Sequence, residues 1–293
     1  MTASKPKIII TGANGFLGSA LIKSFKKDGW HVVALVREAD KYSVSGVEYV
    51  EYDLAKSFDV SKFAGADYLV HTAYVKYDRK HPNALKINLG SAERLLSASR
   101  AHKLKRNIFI SSMSAHSEAE STYGKQKLGV EKLFSGKDCT IISSGLIMGN
   151  GGMVKQMADF MKSKHVVPLI GGGRQPLQVI AIYDLVRVIK AVLEQNQSGK
   201  LTIATPEVYT YKTFYKKLSQ RLGVKVLFVP VPLGMLMGIT KLTSFLHLPF
   251  SINEDNVLGL KNLRSAKTAG DLKTLNVEID DLDKILKKSK SIF

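Results

Sequence analysis

Residues 7–18 read KIIITGANGFLG, an apolar run followed directly by three glycines spaced three residues apart. The run is typical of a buried strand, and Phe16 to Lys27 have the apolar spacing of an amphipathic helix. Gly12, Gly15 and Gly18 would let the backbone approach a pyrophosphate, whose negative charge the N-terminus of the helix favours. This spacing differs from the Gly-x-Gly-x-x-Gly fingerprint, but the strand before it and the helix after it supply the context that a dinucleotide-binding turn requires.

Strand and helix patterns alternate from this turn to about residue 150. The alternation predicts an α/β protein, with a Rossmann-like doubly wound parallel sheet and a small mixed α/β C-terminal lobe. We assign residues 1–165 to the dinucleotide-binding domain, with 177–203 returning to it, and residues 166–176 and 204–293 to the substrate lobe. The predicted strands are Lys7 to Thr11, His31 to Arg37, Val47 to Tyr52, Asp67 to Thr72, Asn107 to Ser112, Cys139 to Ser143 and Val224 to Val229. The predicted helices are Phe16 to Lys27, Asn83 to His102, Thr122 to Phe134, Tyr183 to Glu194, Tyr211 to Leu222, Met235 to Leu246 and Ile252 to Leu260.

Composition narrows the class of protein. The chain has 293 residues, of which 45% are hydrophobic, enough for one large core with a smaller lobe attached. Cys139 is the single cysteine, which excludes an internal disulfide and a cysteine-rich metal site, so no metal is expected. No apolar run reaches the ~18 residues of a spanning helix, and the first strand begins too early to leave room for a signal peptide. We therefore expect a cytoplasmic protein.

The formal net charge is +18, which is high for a soluble enzyme. The interpretation we prefer is a solvated basic surface. The alternatives are attraction to a phosphorylated substrate or peripheral contact with an anionic membrane face. No nucleic-acid-binding motif is present, and basicity alone does not indicate a nucleic-acid partner.

Tyr123 and Lys127 lie four residues apart in a predicted helix and therefore share one of its faces. A cation near a phenol lowers the pKa of the phenol from about 10, which makes proton transfer feasible near neutral pH. The same spacing is common on solvated helix faces. Together with the glycine turn upstream, the pair indicates hydride-transfer chemistry.

The residues after the second strand indicate the cofactor. An acidic residue there binds the ribose 2′-hydroxyl of NAD, whereas an arginine accommodates the 2′-phosphate of NADP. Arg37 favours NADP(H) over NAD(H), although the adjacent Glu38 could instead face the ribose. Asp53, after the third strand, is either an acceptor for the adenine amino group or an N-cap or turn aspartate.

These motifs together resemble the short-chain dehydrogenases/reductases. In addition to the glycine turn, the chain has His71-Thr72-Ala73, Asn88, Ser111-Ser112 and Tyr123-x-x-x-Lys127 in that order. The length and the C-terminal lobe resemble the extended branch, the NAD-dependent epimerase/dehydratase family of nucleotide-sugar enzymes, including its surface-polysaccharide members. The resemblance covers residues 7 to about 195 well and the remainder loosely.

The resemblance implies roles for individual residues. Tyr123 would be the general acid/base, Lys127 its partner at the nicotinamide ribose, and Ser112 the group that binds the reacting oxygen. The residues implied in cofactor binding are Gly12, Asn14, Gly15, Phe16, Leu17, Gly18, Arg37, Asp53, Leu54, Thr72, Ala73, Tyr74, Asn88, Ser111, Tyr123, Lys127, Ser144, Gly145 and Ile147. Those considered for substrate contact are Ser114, His116, Lys155, Arg174, Gln178 and Arg264.

The chain departs from the family pattern at two places. Ser143-Ser144 replaces the usual Arg-Pro or similar pair, at a strand end that would face the nicotinamide carboxamide. The segment between Ser112 and Tyr123 is shorter than in most nucleotide-sugar enzymes. Its polar side chains either contact substrate or belong to a plain surface loop.

The resemblance predicts hydride transfer at C4 of a nucleotide-activated sugar, by a 4-keto reductase or a 4-epimerase. Arg37 favours the reductase. The first alternative is a non-catalytic NADP-binding sensor or assembly protein of the same fold, because a fold alone does not fix function. The second is an enzyme acting on a lipid-linked sugar, motivated by the basic tail and the apolar region Leu233 to Phe250. The predicted helices Asn83 to His102 and Thr122 to Phe134 also resemble those that form the family's homodimer interface.

Overall fold

The computed structural model describes residues 5–78, 80–232 and 254–288. The predicted helix Met235 to Leu246, and the apolar region around it, lie outside the described residues. The strands are β1 (Lys7–Thr11), β2 (His31–Val36), β3 (Val47–Glu51), β4 (Tyr68–His71), β5 (Arg106–Ser112), β6 (Cys139–Ser144), β7 (Leu146–Met148), β8 (Val166–Ile170), β9 (Pro176–Leu177), β10 (Val179–Ala181), β11 (Gly199–Ile203), β12 (Tyr209–Thr210) and β13 (Leu227–Val231). The helices are α1 (Phe16–Lys27), α2 (Ala84–Ala101), α3 (Thr122–Leu133), α4 (Gly152–Lys164), α5 (Ile182–Glu194), α6 (Tyr211–Leu222), α7 (Glu254–Lys261), α8 (Ala269–Thr274) and α9 (Leu282–Lys288).

A seven-stranded sheet carries the predicted Rossmann-like topology. Its strand order is β11-β6-β5-β4-β1-β2-β3, and the pairs that join β3, β2, β1, β4 and β5 are parallel. The three isoleucines of β1, Ile8, Ile9 and Ile10, are fully buried, as expected of a central strand covered on both faces. The α/β prediction is confirmed, and with it most of the predicted strand and helix positions in the first half of the chain.

The chain forms two compact units. The first comprises residues 1–111, 126–143 and 186–201, and the second residues 112–125, 144–185 and 202–293. This division differs from the predicted boundary at residue 165, because α4 belongs to the second unit. Met157 and Met161 of α4 pack there in one core with Phe214 and Leu218 of α6.

Three helices, α4, α8 and α9, were not predicted. The chain gives α4 no strong start signal, since it begins at Gly151-Gly152 and has no side-chain cap. The lysine-rich tail forms α9, in which Leu282, Ile285 and Leu286 are buried in the second core while lysines remain exposed. Within the described part of the chain, no helix combines the length and the hydropathy that crossing a membrane would need.

Candidate active site

The glycine turn has the shape that a dinucleotide requires. Gly12 has a φ of +63°, and a Cβ there would lie 2.7 Å from Thr72 Oγ1, so glycine is needed at this position. A Cβ on Gly18 would lie 2.2 Å from the carbonyl oxygen of Gly12, so only glycine lets α1 pack this closely against the turn. Gly15 is the N-cap residue of α1 and offers no side-chain cap, and no acidic residue lies in the first turn. The N-terminus of α1 therefore presents backbone N–H groups to an anion, which fits a pyrophosphate.

Thr11 joins the end of β1 to the end of β4. Its hydroxyl oxygen accepts hydrogen bonds from the backbone N–H groups of Thr72 and Ala73, each at 3.2 Å, and lies 2.7 Å from Nδ1 of His71. Because Thr11 accepts twice, its own hydrogen must donate to Nδ1, which makes His71 a neutral Nε2–H tautomer. Burial agrees, since it lowers the pKa of His71 to about 3. His71 is therefore a structural residue that fixes the loop after β4.

The residues after β2 include the arginine that the sequence predicts to bind a 2′-phosphate. Glu38 forms an ion pair with Lys41, and this contact lowers the pKa of Glu38. Arg37 is exposed next to it. Asn14, predicted to contact the cofactor, donates a hydrogen bond of 2.9 Å to the hydroxyl of Tyr42. The carboxylate that could have faced the ribose is thus engaged by a neighbouring lysine.

Asp53 and Leu54 both have roles within the fold. Asp53 Oδ1 accepts a hydrogen bond of 2.9 Å from the N–H of Ala55, the geometry of a turn aspartate. Leu54 is buried in the core of the first unit rather than lying open to a ligand. Its carbonyl accepts a hydrogen bond from Arg94. The turn interpretation of Asp53 is therefore observed, and an adenine contact stays a prediction.

Asn88 supports the loop that follows β4. Its side chain accepts from Val75 N and donates to Val75 O, both at 2.9 Å, and it also donates to Gln126 at 3.3 Å. The same oxygen of Gln126 accepts from the hydroxyl of Tyr74 at 2.6 Å. This network fixes Tyr74 along the predicted cofactor edge, and Gln126 was not predicted from the sequence.

Lys127 is buried among groups that suit an ammonium ion. Its Nζ donates to the carbonyl of Ile110 at 2.8 Å and lies 4.9 Å from the ring centroid of Tyr74 and 4.8 Å from that of Phe109. Burial lowers the pKa of Lys127 to about 8, and the charge of Glu131 acts in the opposite direction. The lysine therefore titrates within the working range of an enzyme.

Glu131, one turn after Lys127 on α3, is a buried carboxylate at the centre of a polar cluster. It accepts hydrogen bonds from the hydroxyls of Ser111 at 2.6 Å and Ser143 at 3.2 Å, and it pairs with Lys200 at 2.7 Å. The hydroxyl of Ser111 donates to this carboxylate, and the predicted contact of Ser111 with the cofactor stays a prediction. Ser143, which departs from the family pattern, belongs to the same cluster.

Tyr123 and Ser112 are joined in the second unit. A hydrogen bond connects their side chains, and the N–H of Ser114 donates to Ser112 Oγ at 3.2 Å. Since that oxygen already accepts, the hydroxyl of Ser112 can donate to the phenol. Although 36% of Tyr123 is exposed, burial raises the pKa of its phenol, and the bond from Ser112 lowers it by less. Burial dominates this shift, and the lowering of the phenol pKa by Lys127 stays a prediction.

The residues after Ser143 contact other residues of the second unit. Ser144 O accepts from Met113 N at 3.0 Å, and a Cβ on Gly145 would lie 2.5 Å from the carbonyl oxygen of Gln178. Ile147 pairs with Ile180 in the short parallel sheet of β7 and β10. Contacts within the protein are therefore enough to explain why residue 145 is a glycine. The contacts of this strand end with a cofactor stay a prediction.

Most residues considered for substrate contact already have protein partners. Gln178 is buried, donating to Thr205 O and Ala266 O and accepting from Ala266 N, which gives it a structural role, and its contact with substrate stays a prediction. The remaining contacts are His116 Nε2 with Asn262 O at 3.0 Å, Arg264 with Glu118, and Lys155 with Asp159 at 2.6 Å. Arg174 is exposed and Ser114 half-buried.

Sequence reasoning missed Glu131 and Asp255. Glu131 had a usable signal, since it follows Lys127 by four residues on the same helix face. Asp255 had none, because the backbone groups that it binds, at Thr122 and Tyr123, lie more than 130 positions earlier in the chain.

The comparisons with known proteins identify the family of this chain. The chain matches the NAD dependent epimerase/dehydratase family over residues 8–204 and belongs to that family of enzymes. It is 31% identical over 139 residues to a 2-alkyl-3-oxoalkanoate reductase of Stenotrophomonas maltophilia (strain K279a), covering 45% of this chain and 40% of that protein. It is 21% identical over 299 residues to a mitochondrial NADH dehydrogenase [ubiquinone] 1 alpha subcomplex subunit 9 of Arabidopsis thaliana, covering 96% and 74%.

A solved structure extends the likeness to the whole fold. The UDP-glucuronic acid 4-epimerase of Bacillus cereus, in complex with UDP-glucuronic acid and NAD, superposes with a TM-score of 0.74 over 96% of both chains. The two sequences are 19% identical, so this likeness establishes the fold.

Proposed function

We propose that this protein is an NAD(P)-dependent oxidoreductase or epimerase that acts at C4 of a nucleotide-activated sugar, with Tyr123 as the acid/base. The observation that carries the proposal is the hydrogen-bonded pair of Tyr123 and Ser112. The pair places a proton donor next to a second hydroxyl, and both can bind one substrate oxygen. Membership of a family of NAD-dependent enzymes supports it.

The cofactor, when bound, supplies or accepts the hydride. The glycine turn and the N-terminus of α1 would hold its pyrophosphate, and Arg37 would bind a 2′-phosphate, which favours NADP(H). Tyr74 and Asn88 fix the neighbouring loop. Each of these groups orients the cofactor and takes no part in the proton transfer.

The proton steps belong to Tyr123, Lys127 and Ser112. In the reductive direction, Tyr123 donates its proton to the substrate oxygen, while Ser112 donates a hydrogen bond to the same oxygen. Lys127, in its ammonium form, stabilises the negative charge that remains on the phenol. In the oxidative direction the phenolate of Tyr123 accepts the proton of the substrate hydroxyl.

A nucleotide sugar is the substrate that we favour. The solved 4-epimerase with UDP-glucuronic acid shares the fold over the whole chain, and the high positive charge suits a diphosphate. A second candidate is the reduction of a 3-oxoacyl substrate, favoured by the 31% identity with a 2-alkyl-3-oxoalkanoate reductase. The match with a subunit of NADH dehydrogenase keeps a non-catalytic role as the alternative from another class. A homodimer and a cytoplasmic location stay predictions.

The test is a panel assay that measures nicotinamide absorbance and also separates the sugar nucleotides by chromatography, because an epimerisation leaves no net change in the nicotinamide. NADP⁺ and NAD⁺ are offered with UDP-glucose, UDP-N-acetylglucosamine and UDP-glucuronic acid, and NADPH with a 2-alkyl-3-oxoalkanoate. Turnover of a UDP-sugar supports the first candidate, and NADPH oxidation by the oxoacid alone supports the second. Cofactor binding without turnover of any substrate would favour the non-catalytic alternative.

A further inference from the structure

The first turn of α3, which carries Tyr123, is held by a residue from the far end of the chain. The N–H groups of Thr122 and Tyr123 both donate to the carboxylate of Asp255, the latter at 3.4 Å. Gly124 N donates to Ser121 Oγ at 3.1 Å, and Lys125 N to Ser121 O at 3.0 Å. Lys125 thus makes the first i→i−4 bond of the helix, and side chains satisfy the three open N–H groups before it, two of them through Asp255.

The helix cannot supply this carboxylate from its own sequence. Acidic residues usually occupy the first turn, where they stabilise the positive end of the helix dipole, but α3 has none there. The third position is Gly124, and a Cβ on it would lie 2.4 Å from the carbonyl oxygen of Ser114. Because a glutamate is excluded at that position, the negative charge comes from α7.

The segment 255–264, which we call the strap, also contacts the loop that precedes α3, at three residues. Asn262 O lies 3.0 Å from His116 Nε2, Lys261 Nζ lies 3.5 Å from Glu120, and Arg264 pairs with Glu118. The two ion pairs are exposed, and pairs of this kind contribute little free energy. Asp255 therefore makes the contact of the strap that bears most directly on Tyr123.

We propose that Asp255 is a positioning residue for Tyr123, through which the strap keeps the phenol bonded to Ser112. The inference rests on the proposed role of Tyr123 as acid/base. Loss of the carboxylate frees two N–H groups at the start of α3, so the first turn frays and the phenol becomes more exposed. Asn keeps one acceptor oxygen, so Asp255→Asn is affected less than Asp255→Ala.

The experiment follows the phenol directly and needs no substrate. The full chain is labelled with tyrosine carrying ¹³C at Cζ, and Tyr123→Phe identifies the Tyr123 signal among those of the eleven tyrosines. We expect the titration midpoint of Tyr123 to move towards about 10, the value of a free phenol, in Asp255→Ala, and less far in Asp255→Asn. Asp59→Ala is the matched control, because Asp59 accepts the N–H of Ser61 at 3.0 Å in an exposed turn of the first unit.

Two further measurements complete the test. Amide hydrogen exchange of residues 122–125 should accelerate in Asp255→Ala and remain unchanged in Asp59→Ala. With the substrate found in the panel assay, kcat should fall roughly 10- to 100-fold while the Kd for NADPH stays constant. An unchanged Tyr123 titration in both Asp255 variants overturns the inference, whether or not turnover changes. Full turnover in Tyr123→Phe would instead overturn the proposed function and leave the positioning result standing.

Discussion

Lys127 and Glu131 lie one turn apart on α3, and the carboxylate raises the pKa of an ammonium that burial lowers to about 8. Glu131 is itself held by Ser111, Ser143 and Lys200. The pKa of Lys127, the proposed partner of Tyr123, therefore lies close to the pH at which an enzyme works. Small changes in the surrounding charge should change the fraction of Lys127 that is protonated.

The first prediction concerns the pH dependence of reduction. Lys127 is charged below its pKa and neutral above it, so kcat for reduction should be constant below about pH 8 and fall at higher pH, about tenfold per unit. Glu131→Gln removes the charge that raises this pKa, so the decline should begin at lower pH. Lys200→Gln removes a cation from the same cluster and should move it to higher pH.

The measurement is a kcat profile from pH 6 to pH 10 for the three proteins. Equal profiles would show that Lys127 does not titrate in the rate-determining step. A shift of the two variants in the same direction would contradict the electrostatic explanation and indicate a change in packing.

The sequence was enough to predict those helices that are defined by local patterns of residues. The helices Phe16–Lys27 and Tyr211–Leu222 were predicted with the observed bounds, because apolar spacing defines both and Thr210 caps the second. Tyr123 and Lys127 were found from their spacing. The raised pKa of the phenol was not predicted, since burial is a property of the folded chain.

Contacts between residues far apart in the chain could not be predicted from the sequence either. Glu118 and Arg264 are 146 positions apart, and both were considered for substrate contact or a surface loop before the structure paired them. Gln178 likewise bonds to Ala266, 88 positions later. Polar residues in a loop give the same sequence signal whether they bind a substrate or another part of the chain.

The second prediction concerns the acid/base. Tyr123→Phe should lower kcat by about 10²- to 10⁴-fold, the usual contribution of a positioned proton donor, and leave the Kd for NADPH unchanged. Tyr77→Phe is a matched control, because Tyr77 is an exposed tyrosine, 47% accessible, in the first unit. Comparable activity in both variants would exclude Tyr123 as the proton donor.

The third prediction concerns the cofactor. If Arg37 binds the 2′-phosphate, Arg37→Ala should raise the Kd for NADPH by roughly 10- to 150-fold, since a hydrogen bond to a charged group contributes about 1.5–3 kcal/mol. The Kd for NADH should not change. Lys23→Ala, which removes an exposed cation from α1, tests for a general effect of charge. Tighter binding of NADH than of NADPH by the unmodified protein would refute the assignment.

The fourth prediction concerns the stability of the predicted cofactor turn. Thr11→Val removes the hydroxyl that accepts from the half-buried Thr72 N and Ala73 N and donates to the buried His71, and these groups lose that partner. The free energy of unfolding should fall by about 1–3 kcal/mol, the usual cost of a buried polar group that loses its hydrogen bond. Thr11→Ser keeps the hydroxyl and loses one methyl group, so the free energy of unfolding should fall by less in this variant. Urea unfolding of the three proteins measures the difference, and equal stability of Thr11→Val and Thr11→Ser would show that the hydroxyl does not hold β1 to β4.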